Sequence, residues 1–374
     1  MSNFAFGTYK VSDYNPQHIQ ALKDAFKYGV EMVVTSSNYL DGASERAVAL
    51  ALEGVEESFR ESVEVISKYK LEQNLDEQLN LSFQRLQRNI IDCYLIENPE
   101  ELLFEFIKNG VEKDDRLDSM NAKLFDAFLE LELAVKNKKI LSYGISSDAF
   151  SVEHMSDYFL PYEDILILAQ DAAEEVKNKK HSLTTIELPV NMLELDGLKC
   201  ASWAKENNLR VLASRPLNAL SSKGMFRLAE YDEGYEYYHH LNELLEVTDN
   251  EMLKPLYNLI EELDDTKHKF SFIGDYDSFL YTQMIPHIKT SLEVLDEENA
   301  TTMLNFIDLF LQEYRKMVSY ECSKTTKKQL QKLFENCDGL MQECALKFLM
   351  AKKEIDYIVI GMRKPSYVDE VLAL

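Results

Sequence analysis

The feature that most constrains this chain is a rhythm. Short β-branched or aromatic runs recur, each followed by a polar turn and then by a stretch with helical spacing. The runs are the start of Phe4 to Val11, a short strand followed by a turn, then Met32-Val33-Val34, Val63 to Lys68, Ile90 to Glu97, Ile140 to Ser147, Thr185 to Pro189, Arg210 to Leu217 and Asp356 to Met362. Short apolar runs bounded by polar residues read as buried strands. Between them, Asn15-Pro16 supplies an N-cap and a first-turn proline for a helix ending at Gly29. Helical patterns also cover Glu45 to Arg60, Asn74 to Asn89, Ala122 to Lys136, Ile165 to Val176 and Ala201 to Asn207. Strands alternating with helices predict a parallel sheet with helical crossovers, and eight such units predict a closed (β/α)8 TIM barrel. Periodicity alone leaves an open doubly wound sheet as the alternative.

Between Leu228 and Met341 the rhythm stops. The region is acidic, rich in tyrosine and patterned for helix. In Glu297 to Val318, the residues Met303, Leu304, Ile307, Phe310, Leu311 and Tyr314 form one apolar stripe. The expected organisation is a barrel over 1–228 and 341–374, with a helical subdomain, 229–340, inserted after the seventh strand.

Composition narrows the partners. The chain of 374 residues is 46% hydrophobic, enough for a large core, and carries a formal charge of −25. That charge disfavours nucleic acid and anionic membrane as partners. No apolar run approaches the ~18 residues of a membrane span. Met1-Ser2-Asn3-Phe4 has no basic region or signal-peptide core. Five cysteines, without a Cys-x-x-Cys, read as reduced thiols in a cytoplasmic protein. The seven histidines are scattered, and His239-His240 reads as a solvated helix face, so no metal site is expected. There is no P-loop and no Gly-x-Gly-x-x-Gly after a strand.

Tyr39, Lys68 and Glu97 follow or end three successive strands. In a barrel those ends converge on the face where active sites sit. Reducing a carbonyl by hydride needs a proton donor at the oxygen. A tyrosine, with an ordinary pKa near ~10, is a poor acid unless a cation stabilises its phenolate. Lys68 stands where it could supply that charge.

The stretch Gly29 to Glu45, GVEMVVTSSNYLDGASE, resembles the aldo-keto reductase superfamily: Thr35, Tyr39, Gly42, Ser44 and Glu45 match its second strand and following loop. Gly7-Thr8 with the aromatic Tyr9 resembles its first strand. The resemblance implies Tyr39 as acid, Lys68 as its electrostatic partner and Glu97 at the substrate oxygen, where the family has His. It places Val34 at the family's Asp, which pairs with the lysine. Lys68 is then short of a partner, and Glu97 is expected either to pair with it or to stay protonated and donate to the substrate oxygen. For a cofactor, NADP with NAD as the alternative, the resemblance implies four regions. Ser146 and Ser147 would hold the nicotinamide amide, Glu187 stands at the family's Gln, and Ser214 stands where an aromatic often stacks. Arg215-Pro216-Leu217-Asn218 would lie beside the pyrophosphate. Gly361-Met362-Arg363-Lys364, with Tyr367 and Glu370 on the next helix, would grip the phosphates. The implied activity is NADPH-dependent reduction of a carbonyl, or an enone, in a small soluble molecule. The alternative is a nucleotide-binding or interaction protein without turnover, its partner surface on 229–340.

Overall fold

A computed structural model describes residues 4–374, so the reading of Met1-Ser2-Asn3 lies outside the described residues. Seven strands come first: β1 (Phe4–Gly7), β2 (Met32–Val34), β3 (Glu64–Lys70), β4 (Ile91–Glu97), β5 (Ile140–Ser146), β6 (Leu183–Pro189) and β7 (Arg210–Ser214). A hairpin follows, β8 (Asn218–Ser221) and β9 (Gly224–Arg227), and the last strand is β10 (Tyr357–Ile360). All but the hairpin close into a barrel, in the order β1-β10-β7-β6-β5-β4-β3-β2, every pair parallel. The expected (β/α)8 barrel is therefore the fold.

Alternation along each strand sends every second side chain inward. Ala5, Met32, Val34, Ile66, Cys93, Leu95 and Leu212 fill the interior, with Tyr357 and Val359 against them. Lys68 and Glu97 lie two residues beyond Ile66 and Leu95, on the same face and nearer the C-terminal mouth. Register then sets Glu97 opposite Ser146, and Ser146 opposite Glu187. An apolar floor thus supports a polar layer.

The helices start where their caps stand. Asn15 accepts from Gln17 N at 3.0 Å ahead of Pro16–Lys27, and Asn74 accepts from Glu77 N at 3.0 Å ahead of Leu75–Leu86. Three expectations change. The helix expected over Glu45 to Arg60 is two, Ala43–Leu52 and Glu57–Ser62, interrupted around Gly54, a poor helix former. A helix at Glu100–Lys108 was not expected, and Ala122 to Lys136 is the end of the longer Lys113–Lys136. β7 stops at Ser214 because Arg215 takes a left-handed φ of 51°, which a strand cannot continue.

The chain divides into two compact units. One runs through Pro216 and resumes at Leu346–Leu374; the other is Leu217–Ala345. The second has its own core, in which Tyr237, Leu256, Tyr276, Phe310 and Tyr314 are buried together. Within it the Tyr314 hydroxyl donates to Leu263 O at 2.7 Å, and Arg315 forks onto Asp277 at 2.7 and 2.9 Å. Here the expectation of reduced thiols fails for two cysteines: Cys337 and Cys344, on either side of the turn before the helix Met341–Met350, form a disulfide. Cys93, Cys200 and Cys322 are free and buried. Among the described residues no helix is long and apolar enough to cross a membrane.

Gly144, on β5, stands where the barrel wall has no room for a side chain. A Cβ there would lie 2.0 Å from the backbone oxygen of Thr185 and 2.8 Å from Leu95 Cδ2. Gly144→Ala must therefore part β5 from β6. We expect a loss of about 1–3 kcal/mol or more in urea unfolding, as for other overpacked cores; an unchanged midpoint would contradict this geometry.

Candidate active site

The loop after β2 carries Tyr39 to the mouth of the barrel, and its neighbours pin it. Thr35 N donates to Ile66 O at 2.8 Å, and Ser37 gives its N–H and its hydroxyl to Lys68 O at 3.1 and 3.0 Å. The chain then reverses through three left-handed residues, Leu40, Asp41 and Gly42. A Cβ at Gly42 would meet the Arg85 side chain at 2.4 Å, so glycine answers both the φ and the space. Ser44 Oγ donates to Val11 O at 2.7 Å. The buried Glu45 accepts from Ser67 Oγ at 2.7 Å and lies 3.4 Å from Arg85. Gly42, Ser44 and Glu45 act here as the clamp that sets where Tyr39 stands.

Lys68 is the hub. Its Nζ lies 2.6 Å from Glu187 Oε1, 3.3 Å from the Tyr39 hydroxyl and 3.4 Å from Ser146 Oγ. Three ammonium hydrogens meet three acceptors. The Lys68 and Glu187 side chains are only 3% and 4% exposed. This corrects the expectation that Glu97 is the carboxylate near Lys68: the partner is Glu187, from β6. Val34 stays in the apolar floor, its register partner being Ile66.

The charges follow. Burial alone would push the Lys68 proton off, but Glu187 foremost, with Tyr39 and Glu97, more than offsets this, and its pKa is raised. Lys68 therefore stays an ammonium at neutral pH. Burial also pushes the Tyr39 phenol up; Lys68 pulls it down, and Glu97 and Glu187 add to the rise. Tyr39 is thus a neutral phenol that accepts from Lys68, and its own proton has no acceptor among the described residues.

Glu97 is held elsewhere. Its Oε2 accepts from Ser36 Oγ at 2.8 Å and Asn38 Nδ2 at 2.9 Å, and Asn38 Oδ1 accepts from Gln73 Nε2 at 3.0 Å. The sequence reading passed over Ser36 and Asn38, although they lie in the polar run just before Tyr39.

The other expected site residues are distributed as follows. Gly7 ends β1, and the Thr8 hydroxyl donates to Val34 O at 3.3 Å. Ser146 is beside Lys68, but Ser147 is engaged within the protein: its hydroxyl donates to Glu100 Oε2 at 2.7 Å and accepts from Ala149 N at 3.1 Å. Glu100 Oε1 accepts from Asp148 N at 2.8 Å, and burial pushes this carboxyl up to about 7 against the hydrogen bonds of Ser147 and the backbone. Ser214 closes β7 opposite Pro189. Arg215 pairs with Asp148 at 2.6 Å and with Glu194, so its charge is largely answered. Pro216 ends the first unit, while Leu217 and Asn218 open the second, where Asn218 accepts from Arg227 at 2.9 Å. Gly361, Met362, Arg363 and Lys364 link β10 to the helix Pro365–Leu372, which Lys364 caps and which bears Tyr367 and Glu370.

A parallel eight-stranded barrel with a tyrosine–lysine–carboxylate chain at its C-terminal mouth defines a narrow class of protein. The chain belongs to the aldo/keto reductase family, whose family model matches residues 3–374. Among solved structures it is similar to the glycerol dehydrogenase of Gluconobacter oxydans, at 16% identity over 100% of this chain and 86% of that one, with a TM-score of 0.53. An aldo-keto reductase of Bacillus halodurans in its holo form matches at 14% identity over 99% and 85%, TM-score 0.47. An aldo/keto reductase of Klebsiella pneumoniae, in complex with NADP and acetate, matches at 17% identity over 57% of this chain and 64% of that one, TM-score 0.39. At these identities the similarity is one of fold. No curated protein matches the sequence.

Two predictions follow from this geometry. Glu187→Ala strands a buried ammonium, and we expect a loss of about 3–5 kcal/mol in chemical denaturation. Lys68→Met combined with Glu187→Leu removes both charges and should recover most of that loss, because an apolar pair of similar volume avoids both desolvation penalties. A double variant no more stable than Glu187→Ala would contradict the pairing. Glu100 sets a pH dependence. Its folded pKa of about 7 lies above the ordinary 4.5, so the native state holds this proton longer than the unfolded chain. Its contribution is complete below pH 4.5 and is lost as pH rises to about 7, by on the order of 3 kcal/mol. Glu100→Gln should flatten the stability–pH curve across that window; an identical slope in the variant would rule this source out.

Proposed function

We propose that the protein is an NADPH-dependent reductase acting on the carbonyl group, or a conjugated enone, of a small soluble molecule, and we place it in the cytoplasm. The observation that carries this reading is the Tyr39 hydroxyl: it keeps an unengaged proton while accepting from the buried Lys68 ammonium. When hydride reaches a carbonyl carbon, negative charge collects on the oxygen, and that oxygen needs a proton. A phenol with a raised pKa arrives with its proton in place. As the proton leaves, Lys68 at 3.3 Å stabilises the phenolate, and Glu187 keeps Lys68 charged and positioned.

The residues present fit a nicotinamide dinucleotide phosphate. Glu187 Oε2 is buried with no hydrogen-bond partner among the described residues, so an amide N–H would satisfy it. Ser146 stands beside it across the β5–β6 register. Arg363 and Lys364 gather positive charge at a helix N-terminus in a chain of charge −25, which suits phosphate and favours NADP over NAD. That cofactor, when bound, supplies the hydride.

The test is an NADPH titration read by quenching of Trp203 and tyrosine fluorescence, followed by a turnover screen against reactive aldehydes and enones. We expect binding and measurable oxidation of NADPH. Tyr39→Phe should leave NADPH affinity intact and lower kcat about 10²–10⁴-fold, the usual contribution of a general acid. Tight binding with no turnover of any carbonyl or enone would replace this reading with that of a non-catalytic nucleotide-binding protein.

A further inference from the structure

In the second unit, the helix Tyr237–Thr248 brings two adjacent imidazoles against one carboxylate. His239 Nε2 lies 3.5 Å from Glu243 Oε1, and His240 Nδ1 lies 3.2 Å from Glu243 Oε2. The ligating atoms of all three residues lie within 4.8 Å of one another, and among the described residues no other trio of His, Cys, Asp or Glu does this. Bonds of about 2.0–2.1 Å in a tetrahedral zinc site hold the ligand atoms about 3.3–3.4 Å apart. The two imidazoles approach different oxygens of the same carboxylate at comparable distances, so small rotations of these side chains would bring the three donors onto such an edge.

We propose that His239, His240 and Glu243 bind a divalent transition-metal ion of the zinc type, leaving at least one coordination position open to water. Two imidazoles and a carboxylate are a donor set that suits zinc over magnesium or calcium. Each histidine is one helical turn from Glu243, at i+4 and i+3, so the helix places both within reach of that carboxylate, and their side-chain conformations do the rest. The His240 side chain is only 17% exposed and stacks obliquely on the His239 ring at 5.2 Å, which limits the freedom lost when a metal binds.

A second carboxylate stands behind this set. Glu236 Oε2 is 4.0 Å from His240 Nε2, the ring nitrogen away from Glu243. At that distance it makes no hydrogen bond to the ring and contributes only nearby negative charge. The surroundings also favour a cation. Between Arg227 and Lys254 the chain has no lysine or arginine, but it has Glu230, Asp232, Glu233, Glu236, Glu243, Glu246, Asp249 and Glu251. The histidines are not motif-spaced along the sequence; the helix and the side-chain conformations together make the set.

The same atoms could make nothing more than a surface hydrogen bond between His240 and Glu243, and the experiment separates the two. Full-length protein, freed of metal by a chelator, is titrated with Co²⁺ as a spectroscopic probe. We expect one equivalent to bind with a visible d–d band that Zn²⁺ abolishes by displacement. Zn²⁺ should also raise the thermal midpoint, since a ligand that binds only the folded state stabilises it. His239→Gln and His240→Gln should each weaken binding at least tenfold, and the control His287→Gln not at all. All these residues reach the surface, and circular dichroism verifies each variant's fold. Glu243→Gln is the second probe should either histidine variant misfold. Absence of stoichiometric Co²⁺ binding, or binding undiminished in folded His240→Gln and Glu243→Gln, overturns the proposal.

Discussion

The buried ion pair between Lys68 and Glu187 is the interaction on which the rest of the site depends. Two charges taken out of water carry desolvation penalties of several kcal/mol each, and only a short, well-satisfied contact offsets them. At 2.6 Å, with Tyr39 and Ser146 accepting the remaining ammonium hydrogens, this contact meets that condition. Break it, and Lys68 either keeps an unpaired buried charge, at a cost in stability, or gives up its proton, and then Tyr39 loses the cation at its oxygen.

The pair shows how a barrel can move a chemical role between strands. The position on β2 where the family resemblance implies an acid holds Val34, an apolar side chain that packs on Ile66. The acid comes from β6 instead. This works because inward side chains at one height in a closed barrel face a common centre, whichever strand bears them. The exchange has an electrostatic consequence. Burial foremost, with Glu97 and Glu187 adding to it against the pull of Lys68, raises the Tyr39 pKa and keeps the phenol neutral. Glu97 meanwhile is anchored by Ser36 and Asn38, which ties the carboxylate at the end of β4 to the loop that presents Tyr39.

The second unit is built by a different logic. Its helices close on an aromatic core, centred on Tyr237, Phe310 and Tyr314, whose buried hydroxyls need partners: Tyr237 donates to Asp264, and Tyr314 to Leu263 O. One face of Tyr237–Thr248 therefore belongs to that core, while His239, Glu243 and the outer edge of His240 reach the surface.

By itself the sequence determined the local pieces. The β-branched run Met32-Val33-Val34 is β2 to the residue, Asn15 and Asn74 cap the helices they precede, Tyr39 lies in the loop after β2 and Lys68 in the C-terminal half of β3, because period-two alternation and caps are written in neighbouring residues. The resemblance then turned eight such pieces into a barrel. Only the tertiary structure decided who meets whom. Lys68 and Glu187 are 119 residues apart, and no local pattern reveals that β3 and β6 point these two side chains at one spot; that depends on register around the closed sheet. The same holds for Ser147, whose hydroxyl goes to Glu100, and for Cys337 and Cys344, paired by a turn that no motif announced. Chain patterning encodes which way a side chain faces, but its partner is set by closure of the barrel and by the folds of loops, where distance along the chain no longer measures distance in space.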